Sequence, residues 1–235
     1  MSRERRFGPG LSGVTEAALE GGCPLPRTAL AVVQGVPRHL EAHLLRLAAG
    51  AAMMGRSVDW LLLLQRDIET WLSSTTPQED AALRLVLHPD SGLLSARLEP
   101  LPAPAKPYRL VLMPHPMGQR QADLSVMHKG LSGPWGIEVL SAARSLGAED
   151  ALLLWSDGSV AETAIAAVGV EMGGVLRIPP PPGRVASLAE RLDLPRWVES
   201  RNLSLEMRDI PQSLAREGRL WCMNALRGIW PATLL

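Results

Sequence analysis

Two side chains frame the chemistry open to this chain, Lys129 and Glu162. Lys129 is one of two lysines in a sequence that otherwise takes its positive charge from arginine. The other, Lys106, lies among prolines and reads as a solvated linker residue. Lys129 closes the apolar run Leu124-Ser125-Val126-Met127-His128 and precedes a helical stretch. Glu162 follows after a further helix and strand, within Asp157-Gly158-Ser159-Val160-Ala161-Glu162-Thr163. A primary amine condenses with an aldehyde to an imine, and a carboxylate beside a ring nitrogen keeps that nitrogen protonated and the ring electron-accepting. A lysine near its reference pKa is protonated at neutral pH, so it needs desolvation or a neighbouring positive group to react. One further segment suits an anion: Gly183-Arg184-Val185 opens a helix, whose free N–H groups bind phosphate. Separately, Arg46 shares a helical face with His43, three residues earlier.

The elements that must hold these residues are legible in outline. Runs at 14–19 and 29–33, joined across Gly21-Gly22 and prolines, predict a hairpin. Residues 39–54 predict a helix closed by Gly55, and 58–72 an amphipathic one. Residues 82–87 and 93–98, joined by Pro89-Asp90-Ser91-Gly92, predict a second hairpin, followed by a strand at 108–113. Residues 114–122 combine prolines, glycine and polar residues without periodicity. They predict a linker between a smaller N-terminal subdomain, 1–113, and a larger C-terminal one, 123–235. Beyond the linker come a strand ending at Lys129, a helix over about 134–146, and strands at 151–155, 160–170 and 175–178. Short helices at 185–192 and 212–217 flank a strand at 203–207, and 220–223 forms a last short strand. Strands and helices mixed without repeated βαβ units predict an α+β fold of two subdomains.

Lys plus Arg and Asp plus Glu both number 24, so the formal charge is zero. No electrostatic footprint for nucleic acid or an anionic membrane follows. The longest apolar runs, 61–64 and 151–155, fall far short of a membrane span, and residues 1–10 carry no apolar signal core. Cys23 and Cys222 form no metal or redox motif. The expectation is a cytoplasmic protein with no metal, nucleic-acid or membrane partner.

The order of elements resembles the fold-type IV enzymes dependent on pyridoxal 5'-phosphate (PLP), the class IV aminotransferases, and within them the aminodeoxychorismate lyases. Four segments carry the likeness: Val14-Thr15-Glu16-Ala17, His43-Leu44-Leu45-Arg46-Leu47, Met127-His128-Lys129 and Asp157 through Thr163. The tail Asn224-Ala225-Leu226-Arg227-Gly228-Ile229-Trp230-Pro231 is similar to the Asn-x-Leu-Arg-Gly-x-x-Pro ending of the lyase branch. The resemblance implies a two-subdomain fold like that of D-amino-acid aminotransferase. It makes Lys129 the imine-forming residue and proton shuttle, Glu162 the partner of the pyridinium nitrogen, and Arg46 the phosphate clamp. Gly183, Arg184, Asn224 and Ala225 would line the cofactor, and Glu16 and Arg227 the small amino-acid-like substrate. A homodimer is implied, with elimination of pyruvate to give 4-aminobenzoate, a step of folate biosynthesis, as the reaction.

Several positions depart from the family pattern. Its usual Gly-x-Thr-Arg is cut to Gly183-Arg184, its Asn after Glu-Thr-x-x-x is Ala167, and no tyrosine stands where transaminase branches carry one. Two alternatives therefore stand beside the lyase. One is a class IV transaminase for branched-chain or D-amino acids; the other is a non-catalytic homologue with weakened or lost PLP binding.

Overall fold

The computed structural model describes residues 3–8, 25–75, 80–103, 106–120, 135–185 and 187–235. They form two compact units, one reaching to Pro102 and the other running from Ala103 onward.

The first unit carries a five-stranded sheet in the order β1-β5-β4-β2-β3. Its strands are β1 (Glu4–Phe7), β2 (Arg27–Val33), β3 (Val36–Pro37), β4 (Ala81–His88) and β5 (Leu93–Pro100), all antiparallel to their neighbours. The hairpin of β4 and β5 matches the expected one to within two residues at each end. Its turn closes with Gly92 at φ 64, a conformation glycine adopts without steric cost. Leu83, Leu85 and Leu87 of β4 are fully buried, whereas Arg84 between them is exposed and pairs with Glu99. This alternation is the period-2 signature of a sheet with one buried face. The core is completed by α1 (Leu40–Met53) through Leu40, Leu44 and Leu47 and by α2 (Gln65–Thr75) through Ile68, Trp71 and Leu72. The expected single helix at 58–72 is instead a 3-10 helix, Asp59–Leu64, followed by α2. Its four consecutive leucines offer no helical stripe, and Leu61 alone of them is buried. Strand β1 was not foreseen, because three charged residues mask a strand whose only buried member is Phe7. The expected strand at 14–19 lies outside the described residues.

The second unit holds an eight-stranded mixed sheet in the order β11-β10-β9-β12-β13-β6-β7-β8. Its strands are β6 (Arg109–Pro114), β7 (Asp150–Leu154), β8 (Val160–Thr163), β9 (Ala167–Met172), β10 (Val175–Ile178), β11 (Ser204–Met207), β12 (Arg219–Asn224) and β13 (Gly228–Leu234). Helices α3 (Trp135–Ser145), α4 (Leu188–Leu192), α5 (Leu194–Glu199) and α6 (Gln212–Glu217) accompany them. Strand β6 pairs in parallel with β7 and β13. This strand, expected before the linker, belongs by its ladder hydrogen bonds to the second sheet. The mixed, largely antiparallel topology bears out the α+β reading. The expected strand at 160–170 is broken at 164–166, and the expected last strand at 220–223 proves to be half of a hairpin.

Candidate active site

Glu162 lies on β8, whose four residues are all buried. The turn that launches β8 is fixed by Asp157, whose carboxylate accepts from the Ser159 amide at 2.8 Å and its hydroxyl at 2.6 Å. Gly158, at φ 79, supplies the left-handed step. The far end of β8 is fixed by Thr163. Its Oγ1 accepts from the Ala166 amide at 2.9 Å and donates to the Ala166 carbonyl at 3.1 Å, turning the chain into β9.

The Glu162 carboxylate faces His115, which follows β6. The His115 backbone accepts from the Gly118 amide and donates to Leu154 of β7, so the residue is pinned to the end of two strands. Its ring packs against Trp155 at 4.0 Å between centroids and against Trp135 of α3 at 5.2 Å. His115 Nδ1 accepts from the Met117 amide at 3.2 Å, which places the proton of a neutral ring on Nε2. Nε2 stands 4.0 Å from Glu162 Oε1, beyond hydrogen-bond reach. Both atoms are buried, and neither has a hydrogen-bond partner among the described residues. Burial pushes the Glu162 carboxyl above the usual carboxylate range, opposed by His115, the Arg184 guanidinium and the Val185 amide.

A second buried carboxylate, Asp150 on β7, shows what a satisfied one looks like. Its Oδ1 accepts from the Ala151 amide at 2.8 Å and the Ala164 amide at 3.1 Å, and its Oδ2 from the Tyr108 hydroxyl at 3.2 Å. Burial raises its carboxyl too, opposed first by Thr163. Asp150 therefore holds the fold together around β7 and β8. Glu162 Oε1 is left awaiting a donor, and a buried unmatched acceptor is a costly group to keep without a purpose. A protonated ring nitrogen is the kind of donor that fits it.

The remaining expected site residues divide. Lys129 and Glu16 lie outside the described residues. Arg46 lies on α1 in the first unit, half-buried, one turn from buried His43, whose Nδ1 is 2.6 Å from the Thr28 hydroxyl. Gly183 adopts φ 102, and a Cβ there would come within 2.8 Å of Arg120 Cγ and 3.2 Å of the Trp155 ring. The Arg184 guanidinium is committed to the protein, donating to the Pro179 carbonyl and pairing with Glu190 at 2.6 and 2.7 Å. Asn224 accepts from the Leu226 and Arg227 amides at 3.1 and 2.9 Å, forming the turn between β12 and β13 with Ala225 inside it. The Arg227 guanidinium lies over the rings of Tyr108 and Trp230, at 5.8 and 5.6 Å.

Sequence reasoning missed His115, Asp150 and the two tryptophans at His115. His115 belongs to no spacing motif; its one signal is its place just after a strand. Among the described residues no cluster of His, Cys, Asp or Glu could hold a metal ion, and no helix is long and apolar enough to cross a membrane.

Comparison with known proteins agrees with this fold. The structure is similar to a fold IV transaminase from Curtobacterium pusillum, with a TM-score of 0.79 at 22% identity, covering 97% of this chain and 83% of that one. It is similar to the PLP-bound form of a hypothetical aminotransferase from Mycobacterium tuberculosis, with a TM-score of 0.75 at 21% identity over 97% and 87% of the two chains. Likeness to 4-amino-4-deoxychorismate lyase from Pseudomonas aeruginosa covers 98% and 91%, with a TM-score of 0.72 at 22% identity. A search of curated protein sequences gave no significant match. These similarities define the fold class. The sequence profile described as amino-transferase class IV matches residues 28–235, and the chain belongs to that family.

Proposed function

We propose that the chain is a PLP-dependent enzyme, and that its reaction is the elimination of pyruvate from aminodeoxychorismate to give 4-aminobenzoate. The buried Glu162 carboxylate, with Oε1 unpartnered among the described residues, carries this reading. In it, Glu162 holds a proton on the cofactor's ring nitrogen and Arg46 clamps the phosphate through its planar fork. Amides of Gly183 and Arg184 and the turn at Asn224 and Ala225 complete the cofactor's seat, and Glu16 and Arg227 are assigned to the substrate. Lys129 anchors the cofactor through its amine and takes the proton from the amine-bearing carbon of the substrate. Bound PLP supplies an electron sink at that carbon. Loss of the proton makes the substrate ring aromatic as the enolpyruvyl ether bond breaks; the leaving group, once protonated on carbon, is pyruvate.

The tail Asn224-Ala225-Leu226-Arg227-Gly228 supports the lyase over a transaminase. The likeness to fold IV transaminases supports the second reading, transfer of an amino group from a branched-chain or D-amino acid by the same lysine, glutamate and arginine. Either enzyme is taken to work as a cytoplasmic homodimer, which sedimentation of the purified chain tests.

The experiment is an absorption spectrum of the purified protein with PLP, followed by borohydride and by Lys129→Ala. A yellow protein that bleaches, and a variant that shows neither property, is expected. A wild-type protein that stays colourless with added PLP overturns the enzyme reading and leaves a non-catalytic homologue. Release of 4-aminobenzoate and pyruvate from aminodeoxychorismate identifies the lyase, whereas amino-group exchange with 2-oxoglutarate alone identifies the transaminase.

A further inference from the structure

We propose that His115 is a positioning residue for Glu162: its Nε2–H, 4.0 Å from the carboxylate in a ring held against two tryptophans, favours the ionised carboxylate against burial and holds it in place for the ring nitrogen of the cofactor. The inference rests on the PLP reading and adds to it a residue that no spacing pattern in the sequence indicates.

The geometry leaves the imidazole little choice. Its backbone is tied at both the amide and the carbonyl, to Leu154 and Gly118, and Gly118 in turn accepts from Ser156 just beyond β7. With Nδ1 used as an acceptor for the Met117 amide, the opposite nitrogen carries the donor. The ring is flanked by Trp155 and Trp135, and the side chain is wholly buried. A purely space-filling group among tryptophans needs no N–H, because an unmatched buried donor costs free energy that an apolar ring of the same shape avoids. The acceptor this donor faces is Glu162 Oε1, at 4.0 Å. An approach of about 1 Å brings the pair into hydrogen-bond range.

The side chains that oppose the effect of burial on Glu162 are His115, beyond β6, and Arg184, in the loop before α4. Arg184 already has its own partner in Glu190, on α4. Its guanidinium is therefore already bonded elsewhere, whereas His115 Nε2 has no partner among the described residues and stands 4.0 Å from Glu162. A donor to a charged acceptor contributes more than one to a neutral acceptor. A Glu162 that lost this donor would hold its proton to higher pH and would offer a neutral carboxyl to the ring nitrogen.

The test uses the full chain with His115→Phe, which keeps a flat ring without a donor, and His115→Gln, whose amide nitrogen can stand near the position of Nε2. Infrared difference spectra of PLP-free protein against Glu162→Gln follow the ionisation of Glu162 alone. The midpoint is expected to move up in His115→Phe and to return toward wild type in His115→Gln. In parallel, PLP affinity should fall about 10- to 100-fold in His115→Phe, the worth of a hydrogen bond to a charged group, and far less when the same change is made in Glu162→Gln. An unchanged midpoint in both variants, or an equal affinity loss with and without Glu162, reduces His115 to a packing residue and overturns the proposal. Should wild type bind no PLP, the cofactor reading fails by itself, and the infrared midpoints still decide whether His115 governs the state of Glu162.

Discussion

Asn224 Nδ2 donates to the Ile165 carbonyl at 3.3 Å, tying the turn between β12 and β13 to the bend that ends the Glu162 strand. One side chain thus organises two loops. Its oxygen gathers the amides of Leu226 and Arg227, while its nitrogen holds the 164–166 bend in which Thr163 also takes part. The tail motif therefore has a structural effect on the site, whatever else it contacts.

Removing Asn224 should loosen both loops in a graded way. Asn224→Ala loses the two acceptor contacts and the donor, and is expected to lower stability by about 1–3 kcal/mol. Asn224→Asp keeps the turn acceptors and loses only the bond to Ile165, so its loss should be smaller. Urea unfolding of the three proteins ranks them; equal stability of the alanine variant and wild type would contradict the assignment.

Glu162 should make the PLP-free protein weaker as pH rises. Burial raises its folded-state pKa, so the folded form binds a proton that the unfolded form has already released once pH passes the ordinary carboxylate range. Stability then falls with pH until the folded carboxyl has also ionised. Glu162→Gln lacks this titration. It should therefore be the more stable protein above the ordinary carboxylate range, by a margin that grows until the folded carboxyl has ionised, while binding PLP less well. Denaturant titrations of both proteins from acidic to neutral pH check the sign.

The Arg184 guanidinium is tied to Glu190 and the Pro179 carbonyl with only 4% of its side chain exposed. Breaking a buried pair strands the other charge, so Arg184→Ala is expected to destabilise by roughly 3–5 kcal/mol. A loss under about 1 kcal/mol in chemical denaturation, the range of exposed pairs, would show that the pair is solvated in solution.

Arg46 is tested by comparing two cofactor forms. If its fork holds the phosphate, Arg46→Ala should lower the affinity for PLP by about 10- to 100-fold and leave that for pyridoxal, which has no phosphate, close to wild type. Equal losses for both would assign Arg46 to the packing of α1.

Much of the second unit was readable because its signals are local. Helix α6 was placed at 212–217 from its residues alone, and Glu162 was assigned to a strand by the Asp157-Gly158 turn before it. The reading of one strand over 160–170 failed because its apolar residues continue through 164–166, while the break is made by the Thr163 hydroxyl, a side-chain bond that competes with the ladder. Strand β13 was missed because Gly228 and Pro231 are poor strand residues. It forms nonetheless, because β12 on one side and β6 on the other supply its hydrogen-bond partners.

The sequence by itself determined the periodicities, the turns and the residue types able to do chemistry, since these depend on neighbours a few positions apart. Only the tertiary structure decided which buried carboxylate has both oxygens hydrogen-bonded and which keeps one oxygen unpartnered among the described residues. Asp150 and Glu162 are both acidic residues of short apolar strands. The first is surrounded by a hydroxyl and two amides, from residues 108, 151 and 164, while the second meets an imidazole from residue 115 that stops short of bonding. That difference arises from strands brought side by side in one sheet, at separations along the chain that no local pattern records.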